Sequence, residues 1–326
     1  MGKILITASH YEELCGQAKK LLEESGHELI INKSDMPLFT YDQIVNIIGD
    51  VDAAIIGLDD WTEDVFKVAP KLKVIAKFGV GVDNIDGKAA KEYGIKVINA
   101  PGQNSNAVAE LTVGYVIGLL RNIIPLHKKM ENGEWVRLVG YEVKGKTVGL
   151  LGFGTIARLV AEKLRGFDVN MIAYDLYPNE EAANALNVKL MSRKDVIKNS
   201  DIISLHIPGN QETYHLLNKE TFGMMKDGAY IINAARGAVI DMEALCNALK
   251  SGKIAGAALD AFEAEPLSKD AEILKCGNVI CTPHTGAETY EAYKNVSMCT
   301  ARGVLDVLNG IASGVFCVVP ISPTSL

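Results

Sequence analysis

The sequence carries no excess of positive charge: 33 Lys and Arg stand against 40 Asp and Glu, a formal net charge of −7. Nucleic acid and anionic membrane surfaces are therefore not expected as partners, because binding phosphate arrays requires a basic face. Long apolar runs are also missing. The longest, residues 111–120, contains two glycines and falls well short of the ~20 residues that cross a bilayer. The six cysteines (15, 246, 276, 281, 299 and 317) form neither a CxxC pair nor a disulfide-framework spacing. Free thiols in a reducing compartment, hence a cytoplasmic protein with no metal site, are the expectation. Low-complexity segments and solenoid-period repeats are absent. No secretory leader is expected either, since Met1-Gly2-Lys3 runs straight into the strand-like Ile4-Leu5-Ile6. What is present is 48% hydrophobic and 22% charged residues over 326 positions, enough for two packed cores and too apolar for disorder.

Short β-branched apolar runs alternate with helical periodicity along nearly the whole chain. Residues 3–8, 53–58, 74–78 and 96–99 read as strands of one unit, with helices over 11–25 and 41–48. Residues 147–151, 169–174, 202–205, 229–233, 257–259 and 279–281 read as strands of a second. Near-continuous hydrophobic strands separated by helices indicate parallel sheets covered on both faces, so the fold class is α/β with two doubly wound units. Turn-rich segments at 100–105 and 282–286 bracket the second unit, and long helices follow each, over about 107–121 and 288–308. Ser105 or Asn106 is a candidate cap for the first of these helices. The two breakpoints predict that residues 101–286 are inserted into a discontinuous domain made of 1–100 and 287–326, with hinges at both crossings.

Gly152-Phe153-Gly154-Thr155-Ile156-Ala157 lies between a strand and a helix and has the form GxGxxA. In that setting the first glycine permits the tight turn, the second lets the backbone approach a pyrophosphate, and the small third residue lets helix pack on strand. The helix N-terminus supplies free N–H groups and the positive end of the dipole. The next strand ends at Asp175, about twenty residues on, where an acid accepts hydrogen bonds from a ribose 2′-hydroxyl and repels a 2′-phosphate. The cofactor expected is therefore NAD rather than NADP. Three further groups follow strands of the same unit. Arg236 carries a planar fork suited to a carboxylate, though an isolated arginine is more often a surface ion-pair partner. His284 is placed to exchange a proton with a hydroxyl or ketone, and Glu265 to orient its imidazole. Asp260 ends a strand, and Glu263 reads as a solvated charge.

With these residues in place, the sequence resembles the D-isomer-specific 2-hydroxyacid dehydrogenases, most closely their D-3-phosphoglycerate dehydrogenase branch. The motifs that carry the likeness are Lys77-Phe78-Gly79-Val80-Gly81-Val82-Asp83-Asn84-Ile85-Asp86, the segment Asn104-Ser105-Asn106-Ala107-Val108-Ala109-Glu110, Gly133-Glu134-Trp135, the glycine loop, Leu205-His206-Ile207-Pro208, and the stretches around Arg236, Asp260 and His284. The resemblance implies a Rossmann NAD-binding domain inserted into a flavodoxin-like substrate domain. It implies Arg236, Glu265 and His284 as the catalytic three. Lys77, Phe78, Gly79, Val80 and Asn104 would bind substrate with Arg236 and His284, the amides of Gly79 and Val80 holding its carboxylate. Thr112, His206, Pro208, Thr213, Ala234, Asp260 and Gly286 would line the cofactor beside the glycine loop. A homodimer joined through the cofactor domains is expected as well, because the helix after residue 107 is apolar on most of its surface.

Two residues depart from the family pattern. Ala157 replaces the usual third glycine, and Lys77 stands where phosphoglycerate dehydrogenases commonly carry arginine. A chain ending at Leu326 is also expected to lack the C-terminal regulatory domain of the serine-inhibited forms. The alternatives are an NADH-dependent hydroxypyruvate or glyoxylate reductase and, from another class, an NAD-sensing corepressor-like binding protein. Formate dehydrogenases of the superfamily carry glutamine where Glu265 stands, which speaks against them.

Overall fold

In the computed structural model, residues 2–32 and 39–311 are described; Cys317 and the apolar tail expected after the last helix lie outside them. The chain divides into two compact units, Met1–Asn104 with Ala287–Leu326, and Ser105–Gly286.

The first unit is built on five parallel strands: β1 (Lys3–Ile6), β2 (Glu28–Ile31), β3 (Ala53–Ile56), β4 (Val74–Lys77) and β5 (Lys96–Ile98). Their order is β2-β1-β3-β4-β5, the flavodoxin-like winding that reverses direction between β1 and β3. Every residue of β3 and β4 is buried, as expected of strands with helices on both faces. One face packs Leu5, Ala54, Ile56 and Ile75 against Ile44, Val65 and Phe66. The other sets Ile4, Ile6 and Ile55 against Tyr11, Leu22 and the Tyr293, Ala301 and Val304 side chains of the Tyr290–Leu308 helix. That helix thus returns to the N-terminal sheet.

The second unit has seven parallel strands: β6 (Thr147–Leu151), β7 (Asn170–Tyr174), β8 (Val188–Leu190), β9 (Ile202–Leu205), β10 (Ala229–Asn233), β11 (Ile254–Leu259) and β12 (Val279–Cys281). Their order is β12-β11-β10-β9-β6-β7-β8, so the winding starts at the interior strand β6 and reverses between β6 and β9. This is the dinucleotide-fold order extended by one strand, whose ligand crevice lies at the carboxyl ends of the two strands flanking the reversal.

Local differences from the sequence reading have identifiable causes. The helix expected over 11–25 is two helices, Tyr11–Leu14 and Gly16–Glu24, separated at Cys15, whose backbone (φ −109°, ψ 30°) leaves the helical region. Strands β2 and β8 were not anticipated; both are edge strands of three or four residues in which a charged residue, Glu28 or Lys189, interrupts the apolar run. Neither Ser105 nor Asn106 caps the following helix. Both lie inside it, since it spans Ser105–Leu120, and the Asn106 amide donates to Glu110 Oε1 at 2.8 Å.

Candidate active site

The glycine loop sits at the β6–β9 reversal. Gly152 has φ 93°, and a Cβ there would stand 2.3 Å from the His206 carbonyl oxygen at the end of β9, so only glycine fits. Gly154 is the N-cap of the Thr155–Leu164 helix and offers no side chain to its first amides, which leaves them for an anion. Ala157 is fully buried within this helix, so the departure from a third glycine is accommodated by packing. The Phe153 amide donates to Asp175 Oδ2 at 2.6 Å and the Tyr177 amide to Oδ1 at 2.8 Å, which ties the acid at the end of β7 to the loop. These features fit a dinucleotide: a cradle that a Cβ would fill, unpaired helix amides, and a carboxylate beyond the next strand.

The other cofactor candidates belong to the same unit. His206 is half-buried with Nε2 2.9 Å from Ser204 Oγ, and burial pulls its pKa down to about 4, leaving it neutral at pH 7. Thr213 closes the loop behind Pro208 by donating to the Pro208 carbonyl at 2.7 Å. Thr112 is fully buried and its hydroxyl donates to the Val108 carbonyl at 2.8 Å, a bond within its own helix. Ala234 lies in the turn shaped by buried Asn233, which accepts from the Ala235 amide at 3.0 Å and donates to the Arg236 carbonyl at 2.9 Å. Asn233 went unnoticed in the sequence, although an Asn at a strand end before a tight turn is a recognisable signal.

Three side chains draw together at the carboxyl ends of β10, β11 and β12. His284 Nδ1 stands 2.8 Å from Glu265 Oε2, and Glu265 Oε1 accepts from the Phe262 amide at 2.8 Å. Burial would raise the Glu265 pKa. Hydrogen bonds from His284 and the Phe262 amide, with the charges of His284 and Arg236, outweigh it and hold the carboxyl below its ordinary value. The field of Arg236 therefore reaches Glu265. Gly237, next to Arg236, has no room for a Cβ, which would meet the Phe262 backbone at 1.9 Å; this contact fixes the arginine turn against the glutamate loop. Glu263 is not a loose solvated charge: it accepts from Tyr214 Oη at 3.0 Å and pairs with His215 Nε2 at 3.3 Å.

Asp260, at the end of β11, is 2% exposed and accepts from the Thr285 amide at 2.8 Å and the Gly286 amide at 2.7 Å. It underpins the loop that carries His284. Tyr115 and Thr282, which contact this carboxylate, were not singled out from sequence; nothing in their spacing marks them.

The remaining substrate candidates belong to the first unit. Phe78 packs inward, its ring centroid 5.9 Å from that of Tyr11 and 5.5 Å from that of Tyr293. Gly79 adopts φ 151°, Val80 is exposed, and the Val80 carbonyl accepts from Asn99 Nδ2 at 2.7 Å. Lys77 is buried, its ammonium donating to the Gly57 carbonyl and, at 2.9 Å, to Asn84 Oδ1. Asn104 Oδ1 is buried without a hydrogen-bond partner among the described residues.

Residues 113–286 match the family model for the NAD binding domain of the D-isomer specific 2-hydroxyacid dehydrogenases. The chain belongs to this family. It is 41% identical over 314 residues to a D-3-phosphoglycerate dehydrogenase of Methanocaldococcus jannaschii, covering 95% of this chain and 58% of that one. It therefore spans little more than half the length of that relative. A glyoxylate reductase of Thermofilum pendens is 39% identical over 298 residues, covering 89% of this chain and 88% of its own. Among solved structures, D-lactate dehydrogenase of Escherichia coli superposes with a TM-score of 0.84 at 32% identity, covering 96% of this chain and 99% of that one. The glycine loop, Asp175, Arg236, Glu265 and His284 all fall inside the matched NAD binding domain. No single helix among the described residues is long and apolar enough to cross a membrane.

Proposed function

We propose that the chain catalyses reversible hydride transfer between NAD and C2 of a D-2-hydroxy acid or 2-keto acid. The observation that carries this reading is the 2.8 Å His284–Glu265 pair lying within the electrostatic reach of Arg236. When bound, NAD supplies the hydride for reduction or accepts it in oxidation. Arg236 binds the substrate carboxylate and stabilises the negative charge that builds on the carbonyl oxygen during reduction. Protonated His284 gives its proton to that oxygen; in oxidation the neutral imidazole takes it back. Glu265 accepts from Nδ1, so the nitrogen left to face substrate is Nε2. Asp175 supports NAD over NADP.

For the substrate, the phosphoglycerate reading calls for a cation available to a phosphate dianion. Lys77 favours the second reading, a short unphosphorylated 2-keto acid such as glyoxylate or hydroxypyruvate. Its ammonium is turned inward onto Gly57 and Asn84, and the loop after β3 adds Asp59 and Asp60 rather than a base. The exposed apolar side chains of Trp135, Val139 and Tyr141, at 83%, 94% and 57%, support a homodimer formed through this unit. Thiols buried at Cys15 and Cys246 fit a cytoplasmic setting. Initial rates of NADH oxidation with glyoxylate, hydroxypyruvate, pyruvate and phosphohydroxypyruvate test the proposal. No turnover of any of them would overturn the activity; fastest turnover of the phosphorylated acid would overturn only the second reading.

A further inference from the structure

His284 has φ 54°, a left-handed backbone that is unfavourable for a residue with a Cβ and persists only where its surroundings impose it. The surroundings here are specific. On one side the imidazole is held by Glu265. On the other, the flanking residues converge on one carboxylate: Thr282 Oγ1 donates to Asp260 Oδ1 at 2.5 Å, the Thr285 hydroxyl at 3.1 Å, and the Thr285 and Gly286 amides as given above. The His284 amide itself donates to the Thr282 carbonyl at 3.0 Å, which makes the position of Thr282 the position of His284.

Behind Thr282 stands Tyr115, 4% exposed, in the middle of the Ser105–Leu120 helix. Its hydroxyl contacts both Thr282 Oγ1 and, at 3.5 Å, Asp260 Oδ1. With Thr282 donating to Asp260 Oδ1, the Tyr115 O–H is left to donate to Thr282 Oγ1 or, at 3.5 Å, to the same carboxylate oxygen. Either way the three groups form one hydrogen-bonded chain from the helix to Asp260.

We propose that Tyr115 is a positioning residue for His284, anchoring the Thr282–Gly286 loop to the Ser105–Leu120 helix so that the imidazole keeps its bond to Glu265. This rests on the reading of His284 as proton carrier. The helix is otherwise held by apolar packing, with Val116, Leu119 and Leu120 in the same core as Tyr115, and the hydroxyl adds nothing to that packing. Its partners are Thr282 of the loop and Asp260, the carboxylate on which the loop rests. Among the described residues the imidazole is bonded to Glu265, whose carboxyl also feels the charge of Arg236, and Asp260 accepts from the Thr285 and Gly286 amides that follow His284.

The test is Tyr115→Phe, which keeps the ring and removes the chain's first donor. Keto-acid reduction should show kcat lowered about tenfold with the NADH KM within twofold, because a sub-ångström misplacement of a catalytic group costs rate rather than cofactor binding. The alkaline limb of the reduction profile should move to lower pH, as a slackened loop loosens the Glu265 bond. Thr282→Val should do the same from the other end, and the double variant should be no worse than either alone. Wild-type kcat and pH profile in either single variant, with only a lowered Tm, would overturn the proposal and leave Tyr115 a packed aromatic. His284→Ala in the same assay separates the two readings. Wild-type rates there would remove the proton carrier and the proposal with it. An inactive His284→Ala beside an unchanged Tyr115→Phe would remove the proposal alone.

Discussion

Glu265→Gln removes the charge of the carboxylate that faces His284. Glutamine keeps the length of the side chain but has one acceptor oxygen where the carboxylate uses two, one for Nδ1 and one for the Phe262 amide, so with that oxygen on Nδ1 the Phe262 amide loses its acceptor. At His284 what disappears is the difference between a charge-assisted and a neutral hydrogen bond, about 1–1.5 kcal/mol. His284 and Glu265 side chains are 34% and 28% exposed, so solvent screening trims that figure, to about 0.7–1 kcal/mol. At 1.36 kcal/mol per pH unit, the reduction profile should lose its alkaline limb about half to three quarters of a unit below wild type. The oxidation limb should move in the same direction, so the variant retains relatively more oxidation at neutral pH. The stability term has a definite sign too. Glu265 is depressed in the folded chain, so its pairing stabilises above the unfolded carboxyl pKa of ~4.3 and is lost as pH falls through the lower folded value. The Tm gap between wild type and Glu265→Gln should therefore be full at pH 7 and close in the acid range below pH ~4. Initial rates against pH, with a deuteride isotope effect showing that hydride transfer limits the rate, read the kinetic part. Superimposable profiles with that isotope effect intact would refute the relay.

Asp175→Ala should raise the NAD KM about tenfold and narrow the NAD/NADP preference, since it removes a ribose acceptor, a repelling charge and the anchor of the Phe153 and Tyr177 amides together; equal use of NADP by wild type would show the assignment to be mistaken. Gly152→Ala should abolish NAD binding in a fluorescence titration and cost at least about 1–3 kcal/mol of stability from backbone strain alone, with a steric clash on the His206 carbonyl added; a soluble variant with wild-type NAD affinity would remove the phosphate-loop reading. Val139→Asp, at the most exposed apolar side chain of the 135–141 segment, should convert a dimer into monomer in sedimentation velocity; a wild-type monomer at micromolar concentration would remove the dimer.

Legibility in the sequence followed the reach of each interaction. Strands β6, β9 and β10 were readable to the residue, because a buried parallel strand needs a continuous apolar run and little else supplies one. The edge strand β12 was readable too, since Val279-Ile280-Cys281 is such a run, whereas Glu28 and Lys189 interrupt the apolar pattern of the edge strands β2 and β8. The glycine loop was legible because its constraints lie within one turn: a φ of 93° and a carbonyl in the way of any Cβ. Arg236, Glu265 and His284 were nameable only as isolated candidates. Their convergence depends on β10, β11 and β12 lying side by side in register, with Asn233 level with Leu259 and Leu259 with Cys281, a fact of sheet order that no local window contains. Tyr115 and Thr282 are separated by 167 residues, and a tyrosine in an apolar helix reads as core until its hydroxyl is seen to have a partner.

Asp260 and Glu265 lie five residues apart after the same strand and do different work because their partners differ. Asp260 is met by donors that carry no transferable charge: two backbone amides and two threonine hydroxyls, with a tyrosine behind them. Such a set fixes where the loop sits and is indifferent to which way the reaction runs. Glu265 is met by one amide and by the imidazole, which in the proposed reaction changes charge in every turnover. It must hold the ring in place in both protonation states, which one oxygen on the rigid Phe262 amide and the other on Nδ1 accomplish. A single carboxylate bonded to both the loop and the ring would be pulled between two demands each time the proton moved. On the proposed mechanism, separating them would let the backbone around His284 stay in its left-handed conformation while only the Glu265 bond strengthens and weakens. Glu265→Gln and Tyr115→Phe should accordingly move the pH profile in the same direction, while a loss of kcat with NADH KM unchanged and no return when pH is lowered belongs to Tyr115→Phe alone.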